Sequence, residues 1–447
     1  MARLRIVTAG TGAAWEAALV QACQEPGAPA EIVQRCYDLG DLLAVATTGR
    51  AQAALVASGT RWLDRDAVTR LTATGVTVIG VAPSGDDHAE RRLRQLGISH
   101  VGRDTDPPAT LIALATTAAL AEPRDTADAT SGPPAHPTSP GQTESFGRRH
   151  TLIAVWGPKG APGRTTIALN LAFEAAPLAG ETLLVDADTY GGSIAQALGY
   201  LQDYPGLAWA ARMASRGELD GPQLWRATRR AAPTGPRVLA GLPRAELWTE
   251  VRPSTWESLL DLFHVAFPLT IVDVGFCLEE DEELLYDQVR FRRNAVSRIA
   301  LARADMVVAV TRADPVGLHD FIRAWQDLTD LGVPADRVRL VVNQVRDGLF
   351  GGDPAGQIRA AVARYVGVEP AAFIPYDRAA TDAALAAGRS LGETRPGSPA
   401  QQAVAVLAAS MLEQRHTAQA RRSKGRWGVA WASRTPGTRH ATGSAEA

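Results

Sequence analysis

An apolar run that enters a glycine-rich turn constrains this chain more than any other feature of its sequence. The run Leu152–Trp156 is typical of a buried strand, and the next residues, Gly157–Thr166, read Gly-Pro-Lys-Gly-Ala-Pro-Gly-Arg-Thr-Thr. The spacing from Gly157 to Thr165 is that of G-x-x-x-x-G-K-[ST], in which backbone N–H groups cradle phosphates and the hydroxyl binds Mg²⁺. One position departs, because Arg164 stands where lysine is expected. The pattern predicts a phosphate-binding loop between a strand and a helix.

A lysine inside this loop makes the pattern more specific. The sequence of 447 residues contains only two lysines, Lys159 and Lys424, and its other basic side chains are almost all arginine. Lys159 lies two residues after Gly157, where a compact ammonium group can reach phosphates. With it, residues 159–166 resemble the deviant Walker A loop, K-G-G-x-G-K-T-T, of the MinD/ParA family of P-loop ATPases. The resemblance implies that ATP contacts the loop residues Gly157, Lys159, Gly160, Ala161, Pro162, Gly163, Arg164, Thr165 and Thr166.

The residues after the loop follow the order of motifs in the same family. Residues 166–176 are expected to form a helix whose N-terminus faces the phosphates, because its free N–H groups and its dipole favour anions. The next strand ends in Asp186-Ala-Asp188, which resembles the A′ motif of the family, and the apolar strand that carries Asp273 resembles a Walker B strand. By this resemblance Thr165, Asp186 and Asp273 form the Mg²⁺ site. The same resemblance gives Asp188 the task of positioning the attacking water.

The adenine side of the predicted site comes from later residues. Two more apolar strands complete the order of motifs, which together cover roughly residues 150–412. The second of these strands ends near Asn343, where the family contacts adenine, and Phe373–Asp377 resembles the closing adenine-side loop. The resemblance therefore adds Asn343, Pro375 and Asp377 to the nucleotide-binding residues.

These residues also have simpler interpretations. Residues 160–163 fit an ordinary turn, Asp186 and Asp273 fit caps of strand ends, and Asn343 fits a turn position. The order of the motifs favours the nucleotide site, because a chance match of all of them is much rarer than a single match. The expected fold is therefore an α/β P-loop NTPase with a mostly parallel sheet flanked by helices.

The resemblance also implies a mechanism and partners. In the family, two ATP-bound protomers close face to face, and the signature lysine crosses to the partner's nucleotide. Lys159 is thus expected to be catalytic together with Asp188, and ATP with Mg²⁺ to control a homodimer that recruits protein partners of a localisation or assembly system. Arg164 is bulkier and more planar than lysine, so a nucleotide-binding scaffold with little or no hydrolysis is the alternative. CpaE/TadZ-like members often depart at this position. A DNA-binding partition ATPase is the third interpretation.

Residues 1–121 alternate short apolar strands with helical segments, which predicts a smaller α/β domain. The expected strands are Leu4–Ala9, Glu31–Arg35, Ala53–Ser58, Val76–Ala82 and His100–Val101. Their number and spacing resemble a receiver domain of response regulators, the module that precedes the ATPase in CpaE/TadZ-like relatives. Phosphorylation is not expected, because Thr8-Ala9-Gly10 and Ser58 stand where a receiver carries acidic residues. A generic flavodoxin-like domain is the alternative.

Two segments lack the apolar content of a core. Residues 122–149 hold five prolines among small polar residues, which predicts a disordered linker. The tail, residues 413–447, carries seven Lys/Arg and two Glu, and its run Arg421–Trp431 contains two tryptophans. A solvated, disordered tail is favoured over a basic amphipathic membrane anchor. The cluster Arg290–Arg293 fits contact with DNA phosphates or, as we favour, pairing with the acidic run Glu279–Glu283 on one helix.

Composition bounds the remaining choices. With 46% hydrophobic residues, a chain of 447 residues exceeds one ordinary domain and predicts two globular domains with tails. The net charge of −2 gives no overall attraction to nucleic acid or membrane. Cys23, Cys36 and Cys277 lack metal-ligand spacing and predict neither a disulfide framework nor a zinc or iron–sulfur site. No apolar run is long enough for a membrane span, so the expected location is the cytoplasm, with peripheral attachment at a membrane or cell pole left open.

Overall fold

The computed structural model describes residues 3–10, 12–120, 150–160, 162–200, 206–280, 292–348 and 352–413. These residues form two units, each built on its own sheet, one before and one after the predicted linker. The linker 122–149, the tail beyond its first residue, and Ala161 lie outside the described residues. So do Arg290 and most of the acidic run. No helix in the described part of the chain is long and apolar enough to cross a membrane.

The first unit alternates five strands with five helices. The elements are β1 Leu4–Ala9, α1 Ala14–Gln24, β2 Ala30–Arg35, α2 Leu39–Thr47, β3 Ala53–Ala57, α3 Arg65–Ala73, β4 Thr77–Ala82, α4 Asp87–Gln95, β5 His100–Arg103 and α5 Pro108–Leu120. All neighbouring strands are parallel in the order β2-β1-β3-β4-β5, which is the doubly wound, flavodoxin-like order. The five predicted strands are confirmed within two residues at each end.

The second unit contains the remaining strands and helices. They are β6 Thr151–Trp156, α6 Arg164–Ala179, β7 Thr182–Ala187, α7 Ile194–Ala197, α8 Leu207–Ser215, α9 Gly221–Ala227, β8 Arg229–Arg230, β9 Arg237–Leu239, α10 Pro253–Ala266, β10 Leu269–Val274, α11 Ala295–Arg303, β11 Met306–Arg312, α12 Pro315–Asp330, β12 Val338–Val345, α13 Pro354–Tyr365, β13 Pro370–Pro375, α14 Arg378–Ala387 and α15 Leu391–Thr394. Residues 399–413 are also helical and form α16.

The second sheet has eight strands in the order β13-β12-β11-β6-β10-β7-β9-β8, and only the β8–β9 pair is antiparallel. Strand β6 lies inside the sheet, with β7 to β10 on one side and β11 to β13 on the other. Leu152 and Trp156 of β6 pack into one core, whereas Ile153 and Val155 pack into another. Because alternate residues of a strand point to opposite faces, helices cover both faces of this sheet. The predicted α/β fold with a mostly parallel, helix-flanked sheet is confirmed.

Two boundaries near the predicted site differ from expectation. Helix α6 begins at Arg164, two residues before the expected start, because the left-handed Gly163 (φ 89°) ends the loop there. The predicted adenine-side loop Phe373–Asp377 is wrong up to Pro375, since these residues belong to β13, which pairs in parallel with β12. Prolines stand at both ends of β13, and because proline argues against a strand, the sequence did not predict this one. An edge strand tolerates them because one of its sides needs no ladder partner.

The two units are in contact through arginine side chains. Arg92 of α4 donates from Nε to the carbonyl of Arg216 in the second unit, over 2.9 Å, and from its two Nη atoms to carbonyls between β3 and α3 at 2.7 and 2.9 Å. Nη1 of Arg252, before α10, lies 3.3 and 3.4 Å from carboxylates of Asp64 and Asp66. Charged and polar groups thus join α3 and α4 to the second unit.

Candidate functional site

The predicted site residues meet at the carboxyl edge of the second sheet. The phosphate loop follows β6, while Asp186 lies near the end of β7 and Asp273 near the end of β10. Because β10 lies between β6 and β7, Asp273 is in register with Val155 on one side and Asp186 on the other. Ligands of doubly wound sheets bind outside this edge, where the strand order reverses. The fold therefore gathers the loop and both carboxylates at one place.

Glycines shape the loop itself. Gly160 and Gly163 have φ angles of 93° and 89°, in the left-handed region that glycine adopts without strain. A Cβ at Gly157 would overlap the carbonyl oxygen of Val310, and one at Gly163 would overlap the side-chain amide of Asn343. The loop leads directly into the first turn of the sixteen-residue helix α6. The N-terminus of such a helix favours an anion.

Thr165 and Asp273 are joined by a short hydrogen bond. The hydroxyl of Thr165 donates to Oδ2 of Asp273 over 2.6 Å, across from α6 to β10. Asp273 is only 1% exposed, and its Oδ1 has no hydrogen-bond partner among the described residues. Burial raises the pKa of Asp273 to about 8, and the nearby Asp186 adds to the effect. Burial thus disfavours the charged form of this carboxyl group, and the hydrogen bond from Thr165 and the positive charge of Arg164 offset the effect only in part.

The side chain of Asp186 lies against the backbone of Gly192, Ile194 and Gly241, which we call its cradle. Its side chain accepts from the N–H of Ile194 over 3.0 Å, and the residue is 1% exposed. A Cβ at Gly192 would overlap its Oδ1, and a Cβ at Gly241 would lie 2.8 Å from its Cγ. Burial raises the pKa of Asp186 to about 7. Sequence reasoning missed Gly241, since nothing in its neighbourhood of the sequence connects it to the A′ motif.

Arg164 and Asp188 contact each other above the loop. Nη1 of Arg164 donates to the carbonyl oxygens of Gly157 and Pro158, over 3.0 and 3.2 Å. Its Nη2 lies 3.5 Å from Oδ2 of Asp188, and the N–H of Tyr190 donates to Oδ1 of the same carboxylate over 2.9 Å. The two predicted functional residues are therefore neighbours, and each is also tied to nearby backbone.

Lys159 lies on the outside of the same loop. Its side chain is exposed, as are Gly160 and Thr166. Beneath it, Arg312 at the end of β11 donates to the carbonyl of Gly160 over 3.3 Å. The loop backbone is thereby held while the lysine side chain faces solvent, where it is free to meet a ligand or another molecule.

The predicted adenine-side residues lie at the same sheet edge, and two of them, Asn343 and Asp377, form hydrogen bonds with backbone groups. Asn343 is 7% exposed, and its Nδ2 donates to the carbonyl of Pro162 over 2.7 Å. Pro375 ends β13 opposite the end of β12. Asp377 caps α14 by accepting from the N–H of Ala380 over 3.1 Å, and its Oδ2 has no hydrogen-bond partner in the described residues. Contact of these three residues with adenine stays a prediction.

Contacts that the sequence did not predict hold the A′ loop, which we define as residues 188–190 at the end of the A′ motif. Nη2 of Arg293 donates to the carbonyl of Thr189 over 2.7 Å, and its guanidinium carbon lies 4.0 Å from the ring centre of Tyr190. The hydroxyl of Tyr190 donates to Asn294 over 2.8 Å. Arg292, from the basic cluster, lies 3.7 Å from a carboxylate oxygen of Glu280, which confirms a pairing of the two clusters, but neither of these two residues lies in a helix as expected. The A′ loop is thus joined to the start of α11.

The donors and acceptors of the site fit a nucleotide phosphate with Mg²⁺. Arg164 Nε is buried without a partner in the described residues, as is Asp273 Oδ1. A free N–H suits a phosphate oxygen, and a carboxylate oxygen suits Mg²⁺ or its water. In the described ranges, no group of three or more His, Cys, Asp or Glu side chains is arranged to hold a metal alone. Mg²⁺ bound with phosphates needs only one or two carboxylates, because phosphate oxygens and waters complete its shell.

The carboxyl edge of the first sheet is filled by its own side chains. The buried Glu16 accepts from the hydroxyl of Thr8 over 2.6 Å, from the N–H of Gly10 over 3.2 Å, and from Arg35 over 3.0 Å. Burial alone raises the pKa of Glu16, but the hydrogen bonds from Thr8 and Arg35 outweigh it and lower the pKa. Strand β3 ends at Ala57, one residue before the predicted end at Ser58. Glu16 is therefore used inside this unit as a structural carboxylate.

No family model and no curated protein matches the sequence. Among solved structures, a ParA family ATPase from Chlorobium tepidum TLS is similar, with 20% identity and a TM-score of 0.48 over 59% of this chain and 99% of that one. MinD from Pyrococcus horikoshii OT3, complexed with Mg-ADP, has 18% identity and a TM-score of 0.46, covering 59% and 96%. A Cyanothece McdA variant in complex with ATP has 17% identity and a TM-score of 0.45, covering 59% and 97%. Identities of 17–20% leave family and function to be inferred from the chain's own residues.

Proposed function

We propose that this chain binds ATP with Mg²⁺ and acts as a dimerising switch ATPase of the MinD/ParA type. The observation that carries the proposal is the meeting of the phosphate loop with Thr165, Asp186 and Asp273 at one sheet edge, where Thr165 Oγ1 lies 2.6 Å from Asp273 Oδ2. Ordinary strand caps do not account for two buried carboxyl groups in register on adjacent strands, because burial disfavours their charged forms unless a cation or hydrogen-bond donors balance them. The CpaE/TadZ-like subtype is supported by Arg164 and by the 2-1-3-4-5 order of the receiver-like first sheet.

Each residue has a task in the proposed reaction. The backbone from Gly160 to Thr166 binds the phosphates, and Asp273 orients the hydroxyl of Thr165 toward the Mg²⁺ site, which Asp186 completes. Mg²⁺, when bound, neutralises charge on the phosphates. Asp188 orients the attacking water and is itself held by the N–H of Tyr190 at 2.9 Å.

Lys159 couples hydrolysis to dimerisation in this proposal. Its side chain is exposed at the rim of the loop, so a second protomer that approaches this face brings its nucleotide within reach of the ammonium group. Positive charge positioned in advance is the main requirement of phosphoryl transfer. The ATP-bound homodimer and the ADP-bound monomer then present different surfaces to protein partners of a localisation or assembly system. We propose a cytoplasmic protein that is recruited to a cell pole or membrane periphery.

A nucleotide-gated scaffold with little or no hydrolysis is the second candidate. The contact that favours it is the 3.5 Å approach of Arg164 to Asp188, because an Asp188 that is paired with a cation is not free to orient water. A DNA-binding partition ATPase is less well supported. Arg293 and Arg292 are engaged by Thr189 and Glu280 and do not form an open basic surface.

ATP turnover and ATP-dependent dimerisation of the full chain, with Lys159→Ala and Asp188→Ala, test the proposal. We expect turnover to be lost in both variants, and dimerisation to weaken only in Lys159→Ala. Lys424→Ala, at the other lysine, and Asp382→Ala, at a surface ion pair of α14, are the matched controls. Binding and dimerisation without turnover would establish the scaffold instead. Absence of ATP binding would refute both candidates.

Two further assays test binding to the two remaining candidate partners, duplex DNA and a membrane. Duplex DNA binding that appears only with ATP and weakens steeply with salt would establish the partition function. Sedimentation with anionic liposomes, comparing the full chain with a form lacking residues 413–447, tests the membrane anchor. Equal sedimentation of both forms would exclude an anchoring tail.

A further inference from the structure

We propose that Asp188 and a nucleotide phosphate compete for one guanidinium nitrogen of Arg164, so that the Arg164–Asp188 pair is a latch that phosphate binding opens. The inference rests on the proposed function and deepens it. It gives Arg164 two separate tasks before phosphate binds, one toward the loop and one toward the A′ motif.

The first task uses Nη1. This nitrogen lies 3.0 Å from the carbonyl oxygen of Gly157 and 3.2 Å from that of Pro158, so it binds the start of the loop to the first residue of α6. The Arg164 side chain is 13% exposed, which keeps water away from most of this contact. Because the two acceptors belong to the loop backbone, this half of the guanidinium stays in place whatever Asp188 does.

The second task uses Nη2. It lies 3.5 Å from Oδ2 of Asp188, whose side chain is 11% exposed. That distance is at the outer limit of a hydrogen bond, so the attraction is mainly coulombic and a closer acceptor can replace it. The N–H of Tyr190 donates to the other oxygen of Asp188 over 2.9 Å and keeps the carboxylate beside the loop after the exchange.

The remaining nitrogen shows where the closer acceptor belongs. Arg164 Nε is buried without a hydrogen-bond partner among the described residues. A phosphate group can accept from two nitrogens of one guanidinium at once, in the geometry that arginine offers and lysine does not. Phosphate binding therefore satisfies Nε, takes Nη2 from Asp188 and frees that carboxylate for water.

A double-mutant cycle tests the competition. The affinity of a fluorescent ATP analogue is measured in EDTA, without divalent metal, for the wild type, Asp188→Asn, Arg164→Lys and the double variant. We expect Asp188→Asn to tighten binding 5- to 10-fold in the wild-type background and less than 2-fold in the Arg164→Lys background. A lysine on the loop carbonyls has no second nitrogen for Asp188, so the coupling disappears.

The opposite outcomes are also defined. An equal gain in both backgrounds would mean simple repulsion between Asp188 and phosphate, and no change in either would mean no contact; both overturn the latch. Inorganic tripolyphosphate is a second probe that has no base, and Asp188→Ser is a second variant if Asp188→Asn does not fold. A wild type that binds neither probe refutes the proposed function, whereas binding with an additive cycle refutes only the latch.

Discussion

The side-chain amide of Asn343 lies 2.7 Å from the carbonyl oxygen of Pro162 and so ties the end of β12 to the phosphate loop. The same amide fills the space above Gly163, where a Cβ would overlap it. Just beyond it, Gln344 has a φ of 60°, a left-handed conformation that is strained for a residue with a side chain. The register of β12 with β13 also shifts here, between Val342 and Val345, so the strand is irregular where it meets the loop.

Replacement of Asn343 by Ala is expected to weaken binding of ATP and of inorganic tripolyphosphate by similar factors, about 5- to 10-fold, a loss near 1 kcal/mol per lost hydrogen bond. The reason is that the loop loses its anchor, whichever ligand it holds. Isothermal titration with both ligands checks this. A loss for ATP with unchanged tripolyphosphate binding would instead assign Asn343 to adenine.

Stability of the ligand-free protein is expected to fall as pH rises from about 4 to 8. Burial raises the folded-state pKa of Asp273 to about 8, above its ordinary 3.8, so in this window the folded state keeps a proton on this group that the unfolded state has lost. Asp273→Asn removes this term and is expected to raise stability at pH 8 by about 1 kcal/mol. Thermal unfolding in EDTA at several pH values measures both effects. A variant with the same pH slope as the wild type would contradict the assignment.

Two adjacent glycines offer a matched pair of substitutions. A Cβ at Gly192 would overlap Oδ1 of Asp186, whereas a Cβ at Gly191 meets no atom within 4 Å. Gly192→Ala is therefore expected to lower the free energy of unfolding by about 1–3 kcal/mol and to weaken Mg²⁺-dependent nucleotide binding. Gly191→Ala is expected to change neither. Unfolding midpoints and titrations with and without Mg²⁺ decide, and equal behaviour of the two variants would contradict the cradle.

Arg92 is the residue at which we expect a substitution to weaken the contact between the two units. Its side chain donates hydrogen bonds to the carbonyl oxygens of Ser58 and Leu63 in the first unit, over 2.7 and 2.9 Å. It also donates to the carbonyl oxygen of Arg216 in the second unit, over 2.9 Å. Arg92→Ala is expected to cost about 2 kcal/mol, because the acceptors lose their donor, and to speed amide exchange at residues 216–219. Arg91→Ala, at the exposed neighbouring position, is the control. Unchanged exchange in the second unit would show that Arg92 does not hold the interface.

The sequence was sufficient for the parts of the site that lie within one contiguous motif. The spacing of Gly157, Gly163 and Thr165 predicts the loop, and the apolar runs before Asp186 and Asp273 predict strands whose carboxyl ends share one edge. Both follow from local geometry, since an alternating or continuous apolar run and a left-handed glycine depend mainly on neighbouring residues.

Contacts between distant segments were beyond sequence reasoning. Asn343 and Pro162 are 181 positions apart, and Arg92 and Arg216 are 124 apart. Gly241 reaches Asp186 only because β9 lies beside β7. No local pattern encodes such pairs, because they depend on strand order and helix packing. The departure at Arg164 was visible in the sequence, but its partner Asp188 became evident only from the folded loop.

Because lysine is scarce in this chain, Lys159 can be modified selectively by amine-reactive reagents. It is the one lysine in the described residues, and its side chain is exposed at the rim of the phosphate loop. Reagents that acylate or crosslink amines therefore meet a single lysine on the two folded units. The reactivity of that one side chain reports directly whether the rim of the loop is open or covered.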